Sequence, residues 1–184
     1  MSEQQPTTEK TRRGIEVFRA DAGEPLSETQ MPMEGIDESV MAGFAKVMEA
    51  TGGDPGGETV RCLFREPKED GMSLCHAWFK SGFVLPRHSH NADCMYYIIA
   101  GELKLGNQTL GKGDGFFVPA DAPYSYEAGP EGVEVLEFRN ATQFNIEFKN
   151  NSESHWDRVA KSYGESAPRW AEETVPPSGK LVHL

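Results

Sequence analysis

From Glu58 to about Phe148 the chain is cut into short β-rich runs by a glycine or a proline every few residues. The runs are Thr59 to Phe64, Met72 to Phe79, Phe83 to Leu85, Met95 to Ile99, Glu102 to Leu105, Gly115 to Val118, Val133 to Phe138 and Phe144 to Phe148. Glycine frees the backbone for turns and proline breaks a helix, so this stretch leaves no room for a long helix. Short strands at this spacing predict a mainly β fold, an antiparallel barrel or jelly roll. A chain of 184 residues suits one domain with extensions and needs no disulfides to bury an adequate core.

The flanks read differently. Residues 1–35 are polar apart from Ile15 to Phe18 and predict a largely flexible arm, with one segment docking as an edge strand. Asp37 is placed to cap a helix from Glu38 to Ala50, with Val40, Met41, Phe44, Val47 and Met48 on one stripe. The glycine-rich run 51–57 ends it. A second helix is expected from Ser152 to Tyr163, with Trp156, Val159 and Tyr163 on one side, followed by a loose Pro-rich tail. The resulting division is an arm (1–35), a helix with linker (36–57), a barrel (58–149), and a C-terminal helix and tail (150–184).

Eighteen Lys and Arg against 29 Asp and Glu give a net charge of −11. That excess argues against nucleic acid and anionic membranes as partners. No apolar run reaches the roughly 20 residues that span a bilayer. Met1 to Arg13 has no apolar segment of signal-peptide length. Three cysteines, Cys62, Cys75 and Cys94, read as reduced thiols in a cytoplasm. Cys62 and Cys75 are expected to be small buried residues.

Two of only five histidines stand two apart, as His88 and His90. In a strand both imidazoles point to one face, a geometry for a metal ion or proton transfer. Their context is Gly82, five residues, His88, one, His90, three, Cys94, six, Gly101. Further on come Gly113, five residues, Pro119, one, Asp121, two, Tyr124. This pattern resembles the two-part signature of the cupin superfamily, G-x5-H-x-H-x3/4-E-x6-G and G-x5-P-x-G-x2-H-x3-N.

The resemblance covers about residues 58 to 149. It implies a cupin-type double-stranded β-helix, a jelly-roll barrel with a metal inside its mouth. His88 and His90 match the first two ligands. Cys94 stands where the glutamate would be and Tyr124 where the second motif's histidine would be. Three readings follow: Cys94 and Tyr124 join the histidines as ligands, the histidines bind alone, or the metal is lost and the barrel is a pocket. Asp93, Glu127, Glu134 and Glu137 are substitute carboxylates that spacing does not choose among. Iron is the first expectation for the metal, with Mn, Zn, Ni and Cu as alternatives.

As an enzyme, the chain is expected to be a metal-dependent dioxygenase acting on a small chelating molecule. Cys94 and Tyr124 would then be ligands or proton-handling catalytic groups. Arg87, Tyr96, Tyr126 and His76 are placed at the substrate pocket, each with a plainer reading as a core or surface residue. The competing readings are a metal-free binding or sensory module and a cupin isomerase or lyase. A homodimer is the expected assembly, since small barrels pair edges or sheets.

Overall fold

The computed structural model describes residues 14–26, 30–68, 70–149 and 152–179. The polar stretch before residue 14 lies outside them. The strands are β1 (Glu24–Pro25), β2 (Met33–Glu34), β3 (Glu58–Arg65), β4 (Ser73–Phe79), β5 (His88–Ser89), β6 (Cys94–Leu105), β7 (Gln108–Gly111), β8 (Gly115–Val118), β9 (Glu127–Arg139) and β10 (Ile146–Phe148). The helices are α1 (Glu38–Thr51) and α2 (Glu153–Trp170). Among the described residues one sheet runs β1-β3-β4-β9-β6-β7 with β8 also on β6, and a smaller sheet runs β2-β10-β5. The fold is a jelly roll with a helix on either side in sequence. No described helix is long and apolar enough to cross a membrane.

Alternation along the strands sorts the large sheet into an inner and an outer face. Ala77 and Phe79 of β4, Tyr96 and Ile98 of β6, and Val133 and Val135 of β9 all enter the main core. Register sets Cys94 opposite Arg139, Tyr96 opposite Glu137, and Ile98 opposite Val135. The inner row therefore passes from valine and isoleucine to a buried polar end. His76 falls on the other parity of β4, with Leu74 and Trp78. It faces away from the barrel interior.

Several elements differ from their expected bounds. The runs Met95–Ile99 and Glu102–Leu105 form one strand, β6. Gly101 allows this by taking φ +73 in a bulge where an added Cβ would meet the Gly132 carbonyl oxygen at 2.1 Å. Phe83–Leu85 forms only a single bridge, Val84 to Glu127. In the N-terminal stretch the docking segments are β1, on β3, and β2, parallel to β10, while Ile15 and Val17 are exposed. Helix α2 continues through Gly164 and Pro168 to Trp170. Pro168 removes one ladder donor, but the last turn is anchored by the Trp170 indole, which donates to the Ser81 carbonyl at 2.8 Å and packs on Phe83 and Tyr163.

Helix α1 begins where Asp37 accepts from the Val40 amide at 2.9 Å, and it ends at Gly52 with φ +73. Val40 and Val47 are buried, whereas Met41 and Met48 are exposed. The contact with α2 is made at Gly43, where an added Cβ would lie 2.0 Å from the Trp156 ring. Ser152 caps α2 by accepting from the His155 amide.

Candidate functional site

The two histidines are held by different strategies. The backbones of His88 and Tyr124 exchange reciprocal hydrogen bonds at 3.1 and 2.9 Å, which brings the phenol beside the first imidazole. Asn91 and Asn145 clasp each other, each side chain accepting from the other's amide at 2.8 and 3.0 Å. The clasp presents the Asn145 carbonyl to His90 Nδ1. The two imidazole rings lie 4.9 Å apart, and Phe144 meets His90 edge-on.

Proton positions in this cluster follow from what each atom can do. His88 Nδ1 lies 2.7 Å from the Pro86 carbonyl, which only accepts, so Nδ1 carries the hydrogen. His88 Nε2 therefore holds a lone pair and accepts from the Tyr124 hydroxyl at 3.0 Å. With that proton spent, Tyr124 accepts from the Tyr96 hydroxyl. Tyr96 in turn accepts from Arg139 Nη2 at 3.4 Å. The result is a one-way chain, Arg139 to Tyr96 to Tyr124 to His88, buried throughout. Such a chain polarises each member, so its donors strengthen one another. Arg139 is anchored by Glu137 at 2.6 Å and lies 4.1 Å above the Phe144 ring.

Burial sets the protonation states. Desolvation, aided by His90, lowers the His88 imidazole to about 3. Desolvation and the Arg139 charge lower His90 to about 4. Desolvation also pushes the Cys94 thiol up to about 12 and holds the hydroxyls of Tyr96, Tyr124 and Tyr126 well above their usual range. At neutral pH the cluster contains neutral imidazoles, neutral phenols, a neutral thiol and one internal ion pair.

This donor set does not fit a tightly held divalent metal. His90 Nδ1 also faces a carbonyl, so each histidine offers one lone pair at Nε2. That is the tautomer a metal ligand needs. Two donors fall short of the three or more that tight sites use. Among the described residues no three His, Cys, Asp or Glu side chains come together as a metal-holding group. Tyr124 spends its proton on one of the two lone pairs, and the Glu137 carboxylate is already paired with Arg139.

Of the residues singled out in the sequence, His88, His90, Tyr96 and Tyr124 form this cluster, and Cys94 borders it opposite Arg139. Tyr126 lies beside Tyr124, tilted 30° with ring centroids 6.3 Å apart, and its buried hydroxyl has no hydrogen-bond partner among the described residues. Two placements expected at the pocket are corrected. His76 is on the outer face, paired at 2.9 Å with Glu134, because its strand parity is opposite to that of Cys75 and Ala77. Arg87 is exposed, since its neighbour His88 takes the inward position. Asp93 accepts from the Ala120 amide and from Asn140, and Glu127 is exposed. Of the four substitute carboxylates only Glu137 reaches the cluster, where Arg139 neutralises it. Arg139, Asn145 and Phe144 were not anticipated. The alternation Val133, Val135, Glu137, Arg139 was the available signal for the first of these.

An apolar cleft of about 450 Å³ lies between the helices and the barrel, with His88 in its wall. Phe44, Phe83, Phe148, Trp156 and Tyr163 line it, and among the described residues Asp54 and Glu58 are the charged ones in its lining. Glu58 opens onto the cleft. Although Glu58 is exposed, the cleft walls around it, then Glu137 and Asp54, push its carboxyl upward.

No protein-family model matches the chain, and no curated protein matches it in sequence. Among solved structures, the polyketide cyclase RemF from Streptomyces resistomycificus is similar with a TM-score of 0.52 at 15% identity, over 84% of this chain and 99% of that one. KdgF from a Halomonas species is similar at 20% identity and a TM-score of 0.41, over 47% of this chain and 82% of its own. An RmlC-like cupin from Shewanella frigidimarina is similar at 24% identity and a TM-score of 0.39, over 46% of this chain and 76% of its own. These likenesses concern the fold.

Proposed function

We propose that this chain, a cupin by fold, is an enzyme that moves a proton on a small carbonyl compound, an isomerase or lyase type of reaction. The observation that carries this reading is the one-way hydrogen-bond chain from Arg139 through Tyr96 and Tyr124 to His88. A buried phenol that stays protonated and is polarised from behind is suited to meet negative charge developing on a carbonyl oxygen. Tyr124 is that donor once its hydroxyl, which carries a single proton, turns from His88 Nε2 to the substrate oxygen. His90, neutral at pH 7 with its lone pair at Nε2, is the base that takes the carbon-bound proton. The proton then returns to another carbon, or a leaving group departs, and no electrons are exchanged with an outside acceptor. The apolar cleft beside His88, whose charged lining residues among those described are acidic, favours an apolar substrate without a carboxylate.

Deuterium exchange tests this. The probe is 1-phenyl-1,3-butanedione in D2O, followed by NMR, with protein treated with a chelator and then desalted. Chelated protein is expected to accelerate exchange, and Tyr124→Phe is expected to lower that acceleration roughly 100-fold. Exchange no faster than buffer, or unchanged by Tyr124→Phe in a folded variant, overturns the reading. The dioxygenase is the second reading, favoured by the matched Nε2 lone pairs of His88 and His90. Near-stoichiometric metal in untagged protein, lost in His88→Ala with His90→Ala and accompanied by O2 uptake with the diketone, would replace the first reading with the second.

A further inference from the structure

Strands β3 and β4 set Cys62 opposite Cys75. Directly opposed residues of an antiparallel pair have Cα atoms about 4.5 to 5.5 Å apart, inside the span of roughly 4.4 to 6.8 Å that a disulfide requires. Opposed side chains also point to the same face, and these two thiols interact directly. Both are free. Their surroundings differ. Cys62 is half-buried and receives a hydrogen bond from Arg65 Nη2 at 3.7 Å. Cys75 is fully buried behind it. The pairing slips in register between Cys62 and Phe64, so the ladder is interrupted next to the pair. Cys94, the third thiol, lies opposite Arg139 and has no cysteine across from it.

We propose that Cys62 and Cys75 form a redox-active dithiol, with Cys62 as the peroxide-reactive thiol and Cys75 as the resolving one. The oxidant is a hydroperoxide. Cys62 thiolate attacks the O–O bond, takes one oxygen as sulfenic acid and, with hydrogen peroxide, releases hydroxide. The Cys75 sulfur then displaces that oxygen, which leaves as water with the Cys75 proton, and an S–S bond forms. Two thiols lose two electrons, and one peroxide gains them. The environment assigns the roles. The facing Cys75 thiol and the guanidinium of Arg65 lower the Cys62 thiol to about 6, whereas the same pairing and burial push Cys75 up. As the thiol, Cys62 donates to the Phe64 carbonyl at 3.4 Å; as the thiolate, the reactive form, it is held by Arg65.

The dithiol does not depend on the proposed reaction, and its readout is chemical. Full-length reduced protein receives one equivalent of hydrogen peroxide. The intact mass is expected to fall by two hydrogen atoms, with a Cys62–Cys75 linked peptide after digestion that dithiothreitol abolishes. In Cys75→Ser the sulfenic acid is expected to persist at Cys62 and be captured by dimedone. In Cys62→Ser peroxide consumption is expected to slow about tenfold or more. Iodoacetamide should label Cys62 with a pH midpoint near 6, ahead of Cys94. Oxidation at Cys94 first, or peroxide-treated wild type without the linked peptide, overturns the proposal. The wild-type peptide map decides even if a variant fails to fold.

Discussion

The hydroxyl of Tyr126 is the least comfortable atom of the site. It is buried among Phe79, Phe116 and Tyr124, and no described partner satisfies it. A buried hydroxyl without a hydrogen bond loses its hydration and recovers nothing, a cost of about 1 to 3 kcal/mol. Tyr126→Phe keeps the ring and removes the orphan. It is expected to raise unfolding free energy by about 1 kcal/mol in urea titration, and a loss of stability would show that the hydroxyl has a partner in solution. Its neighbour behaves oppositely. Tyr124 sits in the middle of a satisfied chain, so the same substitution there breaks two bonds. At this scale the sequence was informative where a motif placed residues at fixed spacing, as with His88, His90, Cys94 and Tyr124. It was silent on Arg139, because no motif carries that position and only the alternation along β9 places it inside. It was silent on Asn145 too, since a carbonyl that selects a tautomer leaves no mark in side-chain type.

Helices α1 and α2 meet through the smallest residue on one and the largest on the other. Gly43 leaves the space that the Trp156 ring fills, and Phe44 packs on that ring edge-on at 5.4 Å. Two effects compete in Gly43→Ala. Alanine favours an exposed helix interior by about 1 kcal/mol. A Cβ at 2.0 Å from a buried indole forces the helices apart, at a typical overpacking cost of 1 to 3 kcal/mol. The clash is expected to win, giving a lower thermal midpoint together with a red-shifted tryptophan emission; an unchanged or higher midpoint would mean that the helices separate freely. The existence of both helices was legible from caps and stripes. The extent of α2 was not, because Gly164 and Pro168 are stop signals by local chemistry and are overruled by the anchoring of Trp170 on Ser81. The union of two runs into β6 was hidden for a similar reason. Gly101 reads as a break, yet its positive φ serves a bulge that lets pairing with β9 continue.

For the molecule as a whole, the outer face of the large sheet is conspicuous for what it exposes. Met95, Tyr97, Phe117 and Phe138 are 54%, 47%, 61% and 39% exposed, and register places Met95 beside both Phe117 and Phe138. Contiguous apolar surface of this kind is where a partner is expected to dock. A second copy of the same chain is the occupant expected, through an isologous sheet-on-sheet contact. Sedimentation should give a two-chain species that Phe117→Glu converts to one chain, and a wild type that sediments as one chain would remove the expectation. The general fold class was readable because turn residues at regular intervals leave few alternatives to a jelly roll. The closing of the site was not, because it depends on β5 meeting β10 across more than fifty residues of chain. That pairing has a consequence during synthesis. His88 and His90 leave the ribosome long before Asn145 and Phe148, and the helix that shelters the cleft follows later still. A nascent chain therefore carries its inner face open to water and to chaperones until its last third has emerged, and only then can the imidazoles acquire the partners that fix their protons.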